Sequence, residues 1–360
     1  MSARHRTIER IRARPVVAPL KRPVRTALGT IPDAPLVLID IDAGGLRGSA
    51  YVFSYTPSAL AGLARLIADI GAEIVGMPAM PLDIARHFDR RFRLLGLQGL
   101  VGMALSGIDM ALWDHFARAA GTTVAEALGA APRPIQAYDS YGVIDIRNDE
   151  KALRDSVDAG FRTIKIKIGD GDLGRDVETV GAVRQIVGPG IALMVDFNQS
   201  LSVAEARRRI AALAPFDLFW VEEPVRAEDL SGHAMLRQTA GVPIQTGENW
   251  WFPAGAQAGM MAGASDHAMF DIMKIGGITG WMAGAALAAQ HGMPVSSHIF
   301  QEASAHALAA TPTALLIEHL DLAGDILIDP VTPKNGAITA TGPGLGLVWN
   351  EAAVSRLMQN

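Results

Sequence analysis

Arg162-Thr-Ile-Lys165-Ile-Lys167-Ile-Gly169 sets two lysines one residue apart inside a run that otherwise reads as a buried strand. Side chains at i and i+2 of a strand share a face, so Lys165 and Lys167 stand side by side. Lysine is seldom buried without a partner. Two neighbouring ammonium groups disfavour each other's charge, which lowers at least one pKa. A lysine lowered in this way can serve as a general base near neutral pH. Taken alone, the pair is accounted for equally well by an exposed edge strand with solubilising lysines. The sequence on either side separates the two readings.

Downstream of Pro132, short apolar runs alternate with helix-length segments: 135–141, 163–168, 192–195, 218–221, 242–245, 268–273, 293–296 and 314–317. Eight such runs suit a parallel (β/α) barrel better than a doubly wound sheet. Upstream the pattern differs. Residues 1 to about 55 read as strands, with 35–42 and 48–53 joined by a turn at Ala43-Gly44-Gly45 and a loop over Lys21–Ile31. From Ser58 to Gly129 the period is helical, with Leu60, Leu63 and Ile67 on one face and Leu105, Ile108 and Leu112 on another. Strands followed by helices make an α+β domain. The expected organisation is an α+β capping domain over residues 1–130, a modified TIM barrel over 131–324, and a segment 325–360 that packs back on the capping domain.

The bulk properties exclude several classes. The 360 residues are 49% hydrophobic, enough for a large core. A formal charge of −5 gives no pull toward nucleic acid or anionic membranes, and no apolar run approaches the ~20 residues of a membrane span. The absence of cysteine excludes disulfides and thiolate metal sites and fits a cytoplasmic location. Basic residues crowd the first 25 positions, but Ile8, Ile11, Val16 and Val17 read as a first strand rather than a cleaved peptide.

The ends of the barrel runs carry the chemistry. After Lys165 and Lys167 come Asp196, Glu222, Glu248, Asp271, His298 and Glu318, spaced 26, 26, 23, 27 and 20 residues apart. Each step is close to one βα unit, so these side chains recur at the same height, at the C-terminal mouth where barrel active sites lie. Asp196, Glu222 and Glu248 on adjacent strands repel unless a cation sits among them. An all-oxygen set suits Mg²⁺, with Mn²⁺ as a substitute. One such carboxylate is more simply a cap or ion-pair partner; three in register are not. Asp271 can accept from one nitrogen of His298, fixing its tautomer and raising its basicity. His115, His267 and His306 read as core histidines. A metal with one base on each face, Lys167 and His298, defines proton abstraction alpha to a carboxylate. Lys165 can neutralise the substrate carboxylate. Glu318, if protonated by a raised pKa, can donate to its other oxygen.

These residues resemble the mandelate racemase group of the enolase superfamily. The similarity runs from Gly107-Ile-Asp-Met-Ala-Leu-Trp-Asp114 through Lys165-Ile-Lys167, Val195-Asp-Phe-Asn-Gln199, Glu222-Glu-Pro224, Gly247-Glu-Asn249 and Met273-Lys-Ile-Gly-Gly277 to Ser296-Ser-His298. Enolase-superfamily sites are themselves a known case of a Lys or His base working with Mg²⁺. The resemblance implies a (β/α)7β barrel under a capping domain, homo-oligomeric assembly, and Mg²⁺ on Asp196, Glu222 and Glu248. It implies Lys167 as base for the S-enantiomer and His298, paired with Asp271, for the R-enantiomer. Asn198 would contact the substrate hydroxyl, and Val24, Leu28, Ile31 and Tyr55 would line a pocket for an aryl ring. The expected activity is racemisation of a small-molecule 2-hydroxy acid, mandelate or a close aryl analogue. An acid-sugar dehydratase and a non-catalytic Mg²⁺–carboxylate binding protein are the alternatives. Lys21, Arg22 and Arg25 are expected to face solvent; turned inward, they would favour a substrate with a second acidic group. Trp250 and Trp251 could line the mouth or pack between helices.

Overall fold

The computed structural model describes residues 6–26 and 29–359. The chain opens with a three-stranded antiparallel sheet of β1 (Ile8–Thr26), β2 (Gly29–Ala43) and β3 (Leu46–Phe53), in that order. The segment expected to be a loop over Lys21–Ile31 is instead the far end of the β1/β2 hairpin. Its arms pair Val24 with Ile31 and Thr26 with Gly29, beyond a register shift between Pro19 and Val24. Two prolines in that stretch remove ladder donors and force the irregularity without ending the pairing. Leu28 lies outside the described residues.

Helices α1 (Pro57–Ile74), α2 (Pro81–Arg91), α3 (Leu100–Ala120) and α4 (Val124–Ala127) complete the first domain. Leu60, Leu63, Ile67, Ile70 and Ile74 form the buried face of α1, the spacing of an amphipathic helix. Helix α3 is buried on almost every side and lies directly on the sheet. A Cβ at Gly107 would meet Ile39 Cδ1 at 2.4 Å, so any larger residue there would have to displace the Ile39 side chain.

The second domain runs β4 (Ile135–Val143), α5 (Ile146–Asp158), β5 (Thr163–Lys167), α6 (Leu173–Val187), β6 (Ala192–Asp196), α7 (Val203–Leu213), β7 (Leu218–Glu222), α8 (Leu230–Thr239), β8 (Ile244–Thr246), α9 (Phe252–Met261), β9 (His267–Asp271), α10 (Gly277–Gln290), β10 (Val295–His298), α11 (Gln301–Ala309) and β11 (Ile317–His319). Strands β4 to β10 pair in parallel in chain order, and β11 pairs with β4. Closure comes from the residues just before β11: Val295 N donates to Thr313 O at 2.8 Å, Leu315 N to Val295 O at 2.8 Å, and Ser297 N to Leu316 O at 3.2 Å. The result is a (β/α)7β barrel. The sixth strand ends at Asp271 rather than Met273, because Asp271 Oδ1 accepts the Met273 and Lys274 amides and turns the chain there.

Alternation along the strands sorts the two faces. Ile164, Ile166, Leu193, Val195 and Val221 belong to an outer core beneath the barrel helices. Their neighbours turn inward, where Tyr138, Met194, Trp220, Met269 and Leu316 form a separate apolar plug inside the barrel. Lys165, Lys167, Asp196 and Glu222 share that inward face.

The tail is less strand-like than its glycines and prolines suggest. It contributes the two-residue β12 (Ala337–Ile338), antiparallel to β4, and the helix α12 (Glu351–Leu357). Besides that pairing with the barrel it touches the first domain: Trp349 Nε1 donates to Asp40 Oδ1 at 2.8 Å and Val16 bridges to Met358. Among the described residues no helix is long and apolar enough to cross a membrane.

His306 on α11 sits where the segments meet. Its Nδ1 accepts the Ala125 amide of α4 at 3.2 Å, and the Leu345 and Thr341 backbone of the tail faces the ring. Burial disfavours the imidazolium and outweighs those contacts, pushing the pKa down to about 4. The unfolded value is about 6.5, so the unfolded chain takes up the proton first. Stability from this group is full above pH 6.5 and is lost as pH falls toward 4. His306→Asn keeps an acceptor for Ala125 but cannot titrate. Between pH 7 and pH 5 it should therefore lose on the order of 2 kcal/mol less stability than the parent, read as the change in urea midpoint. An equal loss in both proteins would place that pH dependence elsewhere.

Candidate active site

Ladder register brings the inward side chains together at one height. Lys167 pairs with Asp196 across β5/β6, Asp196 with Glu222 across β6/β7, and Asp271 with His298 across β9/β10. The backbone bends sharply just past these positions. Asn198, Glu223 and Ile299 follow β6, β7 and β10 with φ of 44°, 34° and 40°. Positive φ is costly for such residues, most of all for a β-branched one. Its concentration at three strand ends marks loops whose geometry is dictated by the site rather than by local preference.

Lys165 is only 1% exposed. Its ammonium donates to Glu222 Oε1 at 2.7 Å, lies 3.1 Å from Glu318 Oε1, and faces the Tyr138 ring. Lys167 donates to Asp196 Oδ2 at 2.6 Å. The expected mutual lowering of the pair does not prevail. Burial lowers both ammonium groups, but Glu222 and Glu318 around Lys165, and Asp196 beside Lys167, raise them further than burial lowers them. Lys165 does depress Lys167, by less than Asp196 lifts it.

The three candidate ligands differ. Burial raises the Asp196 carboxyl, but Lys167, Lys165 and the Asn198 amide bring it below the usual range. Burial and the carboxylates of Asp196, Glu248 and Glu318 push Glu222 up to about 8 against the pull of Lys165. Glu248 Oε2 lies 3.3 Å from His298 Nε2. Negative charge is thus crowded beyond what the lysines offset, with oxygen donors only. Oxygen donors are the type a hard divalent cation takes, although among the described residues no three of these side chains stand together as a metal-holding group as they are placed here.

Glu318 departs from expectation. Burial raises it, but Lys165, His298, Ser140 and the Ile299 amide outweigh burial and bring it down to about 2. It is an ionised acceptor here, not a protonated donor. Its Oε2 accepts the Ile299 N–H at 2.7 Å.

His298 Nδ1 and Asp271 Oδ2 are 2.7 Å apart, as the spacing suggested. Burial lowers the imidazole pKa, but Glu248 and Asp271 more than compensate, so it is raised.

Lys167, His298, Glu248, Glu318 and Asn198 open onto one cavity of about 560 Å³, within the ~300–1,000 Å³ of small-molecule sites. One wall is apolar: Leu20, Val24 and Ile31 from the hairpin, Phe53 at the end of β3 and Tyr55 just beyond it, and Ile299, Leu320 and Leu322 from the barrel. The other end is polar, with Ser140, Gln199, Ser200 and Arg226. Lys165, Asp196, Glu222 and Asp271 lie behind this surface, fully buried.

The basic trio of the hairpin neither enters the cavity nor simply faces solvent. Arg22 forks onto Asp139, with Nη2 2.6 Å from Oδ1, and lies over the Tyr141 ring at 3.9 Å. Arg25 donates to Val143 O at 2.8 Å and pairs with Asp149. Only Lys21, with its side chain 62% exposed and 3.5 Å from Asp321, is near the expected placement. A Cβ at Gly142 would meet Arg25 O at 2.4 Å, so the hairpin backbone rests directly on β4. Trp250 is buried against Phe270 and Gly259, and the half-buried Trp251 packs against Gly102 of α3; neither reaches the cavity.

Sequence reasoning passed over Lys274 and Asn249. Lys274 Nζ donates to Asn249 Oδ1 at 2.7 Å, and Asn249 Nδ2 donates to Glu223 Oε2 at 2.9 Å. Both sit in the Gly247–Asn249 and Met273–Gly277 stretches, but nothing in a linear motif signals that a lysine one turn past a strand end is buried.

Comparison with known proteins agrees with this geometry. Residues 8–129 match the mandelate racemase / muconate lactonizing enzyme N-terminal domain, and residues 148–353 the enolase C-terminal domain-like family. A Bradyrhizobium enolase crystallised with magnesium and mandelic acid is 53% identical, covering 99% of this chain and 100% of its own, with a TM-score of 0.98. An L-talarate dehydratase from Polaromonas, complexed with Mg and L-glucarate, is 28% identical over 99% and 98% of the two chains, with a TM-score of 0.87. A Streptomyces coelicolor 3,6-anhydro-alpha-L-galactonate cycloisomerase is 31% identical over 97% of this chain and 99% of its own. With its strand-end carboxylates, its lysine pair and its capped (β/α)7β barrel, this chain belongs to the mandelate racemase / muconate lactonizing enzyme family of the enolase superfamily.

Proposed function

We propose that this protein is a Mg²⁺-dependent racemase of an aryl 2-hydroxy acid, mandelate or a close analogue. The observation that carries the reading is the cavity itself: Lys167 and His298 both reach it from different strands, and its capping wall is apolar. The 53% identical Bradyrhizobium enolase binding magnesium and mandelic acid supports the same substrate class.

Asp196, Glu222 and Glu248 would hold Mg²⁺, which supplies positive charge to the substrate carboxylate. Lys165, kept charged by Glu222 and Glu318, adds a second positive group there. Glu318 is ionised, so its part is to orient Lys165 rather than to donate a proton. Lys167 is held charged on Asp196 in this structure, so to serve as base toward one enantiomer it must first release that proton. It would then take the α-proton, the C–H electron pair passing into the carboxylate to form the enediolate, and protonated His298 would return a proton to the opposite face. The reverse direction exchanges the roles. Asp271 keeps the His298 ring oriented throughout. Val24, Ile31 and Tyr55 would receive the aryl ring, and Asn198, whose amides bind Asp196, would contact the hydroxyl.

The polar end of the cavity favours a second reading. Arg226, Gln199 and Ser200 could bind the hydroxyls or distal carboxylate of a sugar diacid, as in a dehydratase with His298 as acid on the leaving hydroxyl. A 2-keto acid detected with semicarbazide across an acid-sugar set, with no racemisation of mandelate, would decide for it.

In D₂O with Mg²⁺, either enantiomer of mandelate should gain deuterium alpha to the carboxylate. Lys167→Ala should cut exchange from one enantiomer by roughly 10²–10⁴-fold and His298→Asn from the other, followed by proton NMR. Equal loss from both enantiomers in either variant would sink the two-face assignment. Chelation with EDTA should abolish turnover, and Mg²⁺ or Mn²⁺ should restore it. Glu222→Gln should weaken Mg²⁺ binding by at least tenfold by calorimetry; an unchanged affinity would remove Glu222 from the ligand set.

A further inference from the structure

Lys274 is 5% exposed, yet no carboxylate lies within ion-pair distance of its ammonium among the described residues. An ammonium carries three donors. One goes to Asn249 Oδ1 at 2.7 Å, and the charge faces the Tyr55 ring, 5.0 Å from its centroid. A buried charge held by a neutral amide and an aromatic face, with the Glu223 carboxyl acting on it only from beyond ion-pair distance, is an expensive way to fill space, and an apolar side chain of similar length would serve packing better.

What Lys274 touches explains its presence. Asn249 passes the contact to Glu248 Oε1 at 3.3 Å and to Glu223. Tyr55 forms part of the cavity wall, packs on Phe53 at 4.6 Å between centroids, and points its hydroxyl at Asp271 Oδ2, 3.5 Å away. The Lys274 amide itself donates to Asp271 Oδ1 at 3.2 Å. Tyr55 comes from the capping domain and holds φ of 60°, a conformation that persists only where its surroundings enforce it. Lys274 does not line the cavity, so it acts through these partners.

We propose that Lys274 is a positioning residue. Its ammonium clamps the Tyr55 wall of the capping domain and, through Asn249, the Glu248 strand end into one register with the Asp271–His298 pair. The proposal rests on the reading of His298 as one of two bases, and it adds a direct link between substrate-pocket shape and only one of the two proton-transfer faces.

The test uses the full chain labelled with 3-fluorotyrosine. Its four tyrosines give four fluorine resonances, and Tyr55→Phe assigns the one that matters. Lys274→Met should shift or broaden the Tyr55 resonance and leave the other three in place, which also reports an intact fold; Lys274→Arg, which keeps the charge, should restore it in large part. In the exchange experiment, Lys274→Met should slow the His298-dependent enantiomer at least tenfold more than the Lys167-dependent one. An unmoved Tyr55 resonance, or equal slowing on both faces, overturns the proposal. Should Lys274→Met fail to fold, Lys274→Gln keeps a donor to Asn249 without the charge and carries the same test. If the parent exchanges no acid at all, the racemase reading fails while the fluorine spectrum still decides the role of Lys274.

Discussion

Charge crowding inside the barrel mouth governs the rest of this structure. Asp196, Glu222, Glu248 and Glu318 converge there, out of water, with Lys165, Lys167 and His298 set between them. Carboxylates buried without partners would protonate or unfold the mouth. The lysines hold Asp196 and Glu318 ionised, while burial and neighbouring carboxylates push Glu222 up to about 8, where the balance is incomplete. Under the proposed function, the same crowding that makes the cluster costly would favour a divalent cation there and direct charge onto a bound carboxylate. Fold and chemistry are therefore set by one constraint: the inward face of β5 must present ammonium groups at the height where β6 and β7 present carboxylates.

The capping domain supplies what the barrel lacks. Barrel strands can aim polar groups at a substrate, but their ends leave the mouth open to water. The β1/β2 hairpin crosses that opening and is held by Arg22 on Asp139, by Arg25 on Val143 and Asp149, and by the close seat at Gly142. From the sequence those arginines are expected to face solvent, with an inward placement as the alternative. In the fold they are the fastening, and Val24 and Ile31 on the same arms become the wall. Apolar cover of this kind strengthens every electrostatic interaction beneath it.

Glu318 shows why a role cannot be assigned from the residue type alone. A glutamate at the last strand end, beside other acids, reads as a candidate for a raised pKa. Its actual neighbours are the Lys165 ammonium and the Ile299 amide, and they hold it ionised. The three-dimensional partner list reversed the expected direction. The same holds for Lys165 and Lys167: one residue apart, they do repel, but each has a carboxylate closer than its twin.

The barrel was legible because its information is periodic. Alternation along β5, β6 and β7 and a recurrence near one βα unit place Lys167, Asp196, Glu222, Asp271 and His298 at one height, and this follows from strand geometry alone. Resemblance extended that reading to the capping domain. The linear pattern could not show that a proline-bearing loop would continue as a hairpin, that its arginines would latch onto the barrel rather than face solvent, or that Lys274 would be buried against Tyr55. The hairpin is a local pairing that its prolines disguise; the other two depend on contacts between residues more than a hundred positions apart, Arg22 with Asp139 and Tyr55 with Lys274. The sequence by itself determined which side chains face the barrel axis and at what height. Only the tertiary structure decided their charge states and the shape of the space above them, because both depend on which distant groups end up nearest.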